Sequence, residues 1–420
     1  MQEPFSHEFF RKTRQKLKAH IDNDSLILLF SNHRMPRNGD QLFPFRQNSD
    51  LFYLSGIEQE NSILVIEKEE DYLFIDEPDS HSSLWEGDKL QAKQAESISG
   101  IDNIRWTHHF DDIMEKLLHS KKKLYFNTKE KLNSRELKSN DEIHFERFRN
   151  QYPFHTFLNL KPLLSELRLR KEPEEIDAMQ QAIDITGKAL DRIFKMLRPG
   201  ISEKELEAEI MHEFMLNHAG GFAFEPIVAS GKNATVLHYT KNNDICGDNE
   251  LVLLDFGAEY HNYAADITRT IPVNGRFTGR QKECYQAVLE VMKTVQNEIK
   301  PGITIRELND KIIEALIEKH IQLGLYKRED LDDKEEPVWK KYFPHGVSHF
   351  IGLDVHDHGD KNLILDKGMV ISWEPGIYIP EENLGIRIED DILVDNPSVN
   401  LSCQIPKEIG DLENLITKRE

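Results

Sequence analysis

Apolar and polar positions change rhythm along this chain, and the change divides it in two. Up to about residue 165, short apolar runs alternate with amphipathic stretches. Glu8 to His20 carries apolar residues at helical spacing and predicts an amphipathic helix. It leads into SLILLF, an apolar run of strand length that starts at Ser25. Further short strands are predicted at Asp50–Leu54, Ile63–Ile66 and Tyr72–Ile75, then a helical stretch near Leu84–Gly100 and a strand at KLYFN. The run around Lys129–Asn140 is charged and aperiodic, so it reads as surface loop or short helix. Strands alternating with helices predict an α/β layer for this half.

Beyond about Leu163 the pattern becomes helical. RLRKEPEEIDAMQQAIDITGKALDRIFKMLRPG carries Ile176, Met179, Ile183, Ala189, Ile193 and Leu197 along one stripe. Pro173 suits a first helical turn, where its missing N–H costs nothing, and Pro199-Gly200 ends the helix. An echo follows. RPGISEKELEAEI from Arg198 and KPGITIRELNDKI from Lys300 share a basic residue, Pro, Gly, Ile and a hydroxyl, with Glu three residues later. Ser202/Glu205 and Thr304/Glu307 are capping-box pairs that open a second helix each time. Helix joints often look alike, but five matches in order favour a duplicated unit with a site at its seam.

Bulk properties narrow the class. At 420 residues the chain exceeds one ordinary core, so two domains are expected, residues 1–165 and 166–420. The net charge of −21 argues against a nucleic-acid partner. It suits binding of cations or small substrates, and solubility alone explains it equally well. Cys246, Cys284 and Cys403 stand far apart, which predicts reduced thiols rather than a disulfide scaffold. MQEPFSHEFFRKTRQ lacks an apolar core, so no secretory signal is expected. Leu26 to Phe30 falls far short of the ~20 residues of a membrane span. A cytoplasmic protein with no membrane partner is expected.

Chemistry-bearing residues gather in the last 170 positions. ELVLLDFGAEYHNYAADITRTIPV reads as strand, turn, strand. A turn centred between Tyr260 and His261 sets Asp255 directly opposite Asp266, with Cβ atoms about 4.5–5.5 Å apart. Facing like charges need a bridging cation; the plain alternative is a solvated strand end. Glu374 follows the apolar strand MVISW, where a lone buried carboxylate is costly. In GIRIEDDILV, period two turns Ile386, Ile388 and Ile392 one way and Arg387, Glu389 and Asp391 the other. Arg387 is thus placed to steady a ligand carboxylate, unless this is an ordinary half-exposed strand. Asp390 breaks the alternation without a visible reason. His345, His349 and His356 crowd a glycine-containing stretch that reads as strand or loop, and three together point to a site. His238, in ATVLHYTKNND, is an even choice between site and loop.

Taken together, LLDFGAEYHNYAADITRT, HGVSHFIGLDVHD, SWEPGIYI and GIRIEDDILV resemble the pita-bread metallopeptidases, and among them the aminopeptidase P family. FRQNSDLFYLSGIEQENSILVI is similar to the start of that family's N-terminal domain, and VLHYTKN to its central histidine loop. The resemblance spans the chain and departs at no ligand position. It implies an α+β architecture: a C-terminal pita-bread catalytic domain with a pseudo-two-fold, preceded by a smaller α/β domain. It implies two divalent metal ions, usually manganese, with cobalt or zinc as substitutes. Asp255 would be bidentate to one, Asp266 and Glu389 would bridge, and His349 and Glu374 would complete the other. His238, His345 and His356 would line the site, with Arg387 and Tyr378 beside them.

The implied reaction releases the N-terminal residue from peptides with proline second. A hydroxide bridging the metals would attack, with Glu374 as proton acceptor and His356 assisting the oxyanion. A homo-oligomer, dimer or tetramer, is also implied. Trp85 is a candidate contact to a neighbouring subunit, its alternative being a half-buried packing residue. Prolidase shares the ligand set but takes only dipeptides. A creatinase-like enzyme lacks the metal set, and a non-catalytic binding module on this fold would have lost ligands.

Overall fold

A computed structural model of the chain describes residues 5–79, 83–85, 87–128, 138–332 and 336–417. It divides into two compact units, Met1–Arg168 and Leu169–Glu420. The first unit is an α/β layer on a six-stranded sheet. From one edge the strands run Asn103–Trp106, Asp71–Ile75, Ile63–Ile66, Ser25–Phe30, Lys123–Phe126 and Thr156–Asn159. Ser25–Phe30 is buried on both faces, which its unbroken apolar sequence requires. Leu26, Leu28 and Phe30 pack with Phe110, Met114 and Phe148 from two covering helices, Phe110–Leu118 and Asn140–Gln151.

One expected element is different in kind. The strand expected at Asp50–Leu54 is a helix, Ser49–Ser55. The Asn48 side chain accepts the N–H groups of Asp50 and Leu51, and Gly56 closes the helix at φ 69°. A five-residue apolar run fits either buried element, and the capping residues decide it. The charged run at Lys129–Asn140 lies mostly outside the described residues; Asn140 opens a helix capped by Ser139. Trp85 is 75% exposed, so the half-buried packing alternative does not hold.

The second unit opens on the helix Pro173–Met196, with Pro173 at its first position. The two echoed motifs build the same joint twice. Gly200 (φ 87°) donates its N–H to Cys246 O, Cys246 donates back to Ile201 O, and Ser202 bridges Ile245. Gly302 (φ 100°) donates to Leu365 O, Leu365 donates back to Ile303 O, and Thr304 bridges Ile364. Both capping boxes form, opening helices Glu203–Leu216 and Ile305–Gln322. Ten residues past each bridged isoleucine, at the end of the strand that follows, stands a carboxylate: Asp255 and Glu374.

Those strands sit in separate three-stranded sheets. Leu251–Phe256 lies between Ile227–Ser230 and Ile267–Pro272; Val370–Trp373 pairs with Asp390–Leu393, which pairs with Val399–Asn400. GIRIEDDILV is therefore not one strand. Leu384–Arg387 pairs with Gly376–Ile379, the chain breaks at Ile388-Glu389, and Asp390 starts a new strand in another sheet. All of Arg387, Glu389, Asp390 and Asp391 are buried, so the half-exposed reading fails.

The break also explains Asp390. Arg269, fully buried, donates to Asp390 at 2.7 Å and to the carbonyls of Thr268, Glu389, Ile405 and Pro406. Lys407 reaches the other Asp390 oxygen at 2.5 Å. Burial opposes the Asp390 charge, but Arg269 and Lys407 hold its carboxyl down to about 2. Arg269→Met is expected to cost roughly 3–5 kcal/mol by leaving Asp390 short of a partner in the interior. The urea midpoint measures it, and an unchanged midpoint would refute the role assigned to this pair.

Candidate metal centre

The turn between Leu251–Phe256 and Ile267–Pro272 determines where the aspartates stand. His261 and Asn262 both have positive φ, 45° and 68°, so the two-residue turn is centred between them. Asp255 therefore faces Thr268, not Asp266. The same register sets Asp266 across from Gly257, diagonal to Asp255 on the same face. Gly257 makes this possible: a Cβ there would lie 1.7 Å from the Ala265 carbonyl oxygen. The expected register was two residues off because His-Asn is a weak turn signal beside Asn-Gly.

The other candidates arrive from the second joint. Phe350 bridges Ile371, and Ser372 exchanges bonds with His349, its N–H to His349 O and its hydroxyl accepting His349 N–H. This fixes His349 beside the strand that ends in Glu374, whose own N–H donates to Val347 O. Glu389 follows the chain break, and its carboxylate accepts the Thr268 hydroxyl at 2.6 Å. One cavity of about 540 Å³ is lined by Asp255, Asp266, His349, Glu374 and Glu389, together with His238, His345, His356 and Arg387. Tyr378 lies behind His345.

Distances within the group are short. Ligand atoms of Asp266, His349 and Glu389 all lie within 4.8 Å of one another. His349 Nε2 is 3.4 Å from Asp266 and 3.8 Å from Glu374. Burial pushes Glu374 up to about 7, with Asp266 and Asp255 adding to the shift and His349 and Arg387 opposing it. Burial first, then the Asp255 charge, raises Asp266 well above the usual carboxylate range; burial and the Asp266 charge do the same to Glu389. Arg387 donates to Asp255 Oδ2. Among the described residues the buried Asp255 Oδ1 has no hydrogen-bond partner. An orphaned acceptor, crowded carboxylates and one imidazole fit a hard or borderline divalent cation.

A hydrogen-bond chain runs behind this group. Arg387 Nη1 donates to the Tyr378 hydroxyl, and the hydroxyl lies 2.8 Å from His345 Nε2. His345 Nδ1 lies 2.8 Å from the Gly346 carbonyl, which can only accept. Nδ1 therefore carries the proton and Nε2 receives the tyrosine's. Burial, then the Arg387 charge, lowers His345 to about 3, so the ring is neutral. His356 stands edge-on to His349, ring centroids 4.5 Å apart. Sequence reasoning missed Thr268, which takes Arg387 Nε–H while donating to Glu389, and Asp391, which accepts Asp266 N–H. Period two in DITRT would have put Thr268 and Thr270 on the face of Asp266.

Fold and site together define a metallopeptidase. Residues 177–396 match the model of metallopeptidase family M24, and the chain belongs to that family. Residues 10–125 match the aminopeptidase P N-terminal domain, which marks the aminopeptidase P branch. The Xaa-Pro aminopeptidase of Haemophilus influenzae is 36% identical over 97% of each chain, and that of Escherichia coli 34% over 98% of each. Among solved structures, zinc-substituted E. coli aminopeptidase P in complex with product superposes with TM-score 0.90 at 33% identity over 99% of both chains. Proline aminopeptidase P II from Yersinia pestis gives TM-score 0.90 at 32% identity, over 98% of this chain and 99% of that one.

The crowding has a measurable sign. With no cation bound, the Glu374 carboxyl titrates near 7 in the folded state against about 4.3 in the unfolded chain. A raised carboxyl pKa favours folding fully below pH 4.3, and that contribution disappears as pH rises through 7. Chelated protein should therefore lose on the order of 3 kcal/mol across that window. Thermal melts should show the loss; a bound divalent cation should flatten it, and Glu374→Gln should lessen it, Asp266 and Glu389 keeping their share. A slope indifferent to metal would contradict the assignment.

Proposed function

We propose that this chain removes the N-terminal residue from peptides whose second residue is proline. The observation that carries this is the convergence of Asp255, Asp266, His349, Glu374 and Glu389 in one cavity of a chain that aligns end to end with Xaa-Pro aminopeptidases. Asp255, Asp266, His349, Glu374 and Glu389 would together hold two divalent cations. Manganese suits four carboxylates and one imidazole, with cobalt or zinc as substitutes. When bound, such a pair makes water a nucleophile at neutral pH and stabilises the oxyanion.

The chain's own residues supply the rest. Glu374 would accept the proton of the attacking water and pass it to the proline nitrogen, which has no hydrogen in the peptide and must gain one to leave. His356 would donate to the developing oxyanion. Arg387 holds Asp255 in place, and burial with the Arg387 charge keeps His345 neutral beside Glu374, Nδ1 to Oε2 3.6 Å. His238 would orient the substrate. Phe224, Ile227, Leu237 and Val355 give the cavity an apolar wall suited to a pyrrolidine ring.

We further infer a homo-oligomer, dimer or tetramer, in the cytoplasm. Exposed Trp85 supports contact with a neighbouring subunit. Three free cysteines, and among the described residues no helix long and apolar enough to cross a membrane, support the compartment.

The test strips metal with chelator, restores manganese, and assays Xaa-Pro di-, tri- and pentapeptides. Release of the first residue from the longer peptides should require metal, with two equivalents bound per chain by elemental analysis. Asp266→Ala should lower kcat/KM by about a thousandfold or more. Cleavage of dipeptides alone would point to prolidase chemistry, and metal binding without hydrolysis to a binding module.

A further inference from the structure

The first echoed motif hides a buried carboxylate. Glu203 opens the helix Glu203–Leu216 and is fully buried, yet among the described residues no cation pairs with it. Its two oxygens take five hydrogen bonds instead. Oε1 accepts Ser230 N–H and Oγ–H, both at 2.8 Å, and Asn233 Nδ2 at 3.0 Å. Oε2 accepts the Tyr239 hydroxyl at 2.8 Å and Asp244 N–H at 2.9 Å. Burial, then the Glu203 hydrogen bond, pushes the Tyr239 phenol up to about 12, so it stays a donor.

All five donors belong to one segment, residues 230–244. Its middle puts Leu237, His238 and Thr240 into the wall of the cavity. Glu203 thus grips this segment on both sides of His238 and does not itself line the cavity. The second echoed motif has an isoleucine, Ile305, at the matching place, equally buried. The joint alone therefore does not require a carboxylate there. A buried carboxylate is costly unless its hydrogen bonds are all met, and this one appears in the copy that faces the histidine loop. Asn242, with φ 45°, adds a second tie through Glu207 and Pro226 O.

We propose that Glu203 is a positioning residue that seats His238 in the cavity through this loop. The inference rests on the proposed reaction for its kinetic reading. Glu203→Gln sets an amide donor against donors, and Tyr239→Phe removes one bond next to His238 while leaving the fold's buried residues intact.

The experiment uses full-length, manganese-loaded enzyme and measures hydrogen exchange, metal content and kinetics on an Xaa-Pro tripeptide. Exchange should quicken over residues 236–243 in both variants, with metal content unchanged. In Glu203→Gln, kcat/KM should fall about tenfold, mostly through KM, and in Tyr239→Phe about threefold. Added to His238→Ala, either change should cost little more, because the pair acts as one unit. Unchanged loop exchange in both variants overturns the proposal, as does a full additional loss in the His238→Ala background. Should the parent enzyme leave Xaa-Pro peptides intact, the proposed reaction fails and the exchange result decides the loop's anchor by itself.

Discussion

Four carboxylates meet in one cavity, and among the described residues lining it a single guanidinium answers them. Arg387 reaches Asp255 directly, while at Asp266, Glu374 and Glu389 burial and each other's charge outweigh what Arg387 and His349 offset. An interior cannot keep such a group ionised without cations, and it would have no reason to gather it otherwise. The surrounding structure serves to hold the acids at that distance. Gly257 lets the aspartate-bearing strands close up, Thr268 joins Arg387 to Glu389, and the Arg269–Asp390–Lys407 cluster fixes the backbone of Thr268 and Glu389.

Duplication is how one chain delivers acids to one point. Each copy turns at a positive-φ glycine, pins its joint to an isoleucine strand lead, and ends the next strand in a carboxylate. The copies have diverged where each meets the cavity. Glu203 and Glu207 tie the loop of His238, while the residue matching Glu207, Asn309, accepts Val347 N–H next to the histidine-rich stretch. One scaffold therefore supports two loops with different chemistry.

Most of the candidate site was legible because its residues stand in tight local contexts with apolar flanks. What stayed illegible depended on partners far away in sequence. Asp50–Leu54 looked like a strand, since a short apolar run fits both elements and only the Asn48 cap separates them. GIRIEDDILV looked continuous because alternation carries no mark of a change of sheet. Asp390 had no reason until Arg269, over a hundred residues earlier, and Lys407 met it in space.

By itself the sequence determined the chemistry on offer: which acids and histidines, in what order, on which kinds of element, and that the second half repeats a joint. Local periodicity and capping carry that much, because they act between residues a few positions apart. The tertiary structure alone decided the two-residue shift that makes Asp255 and Asp266 diagonal, the neutral state of His345, and the identity of the groups behind the site. Those depend on φ values at a turn and on hydrogen bonds between distant segments, which no local pattern encodes.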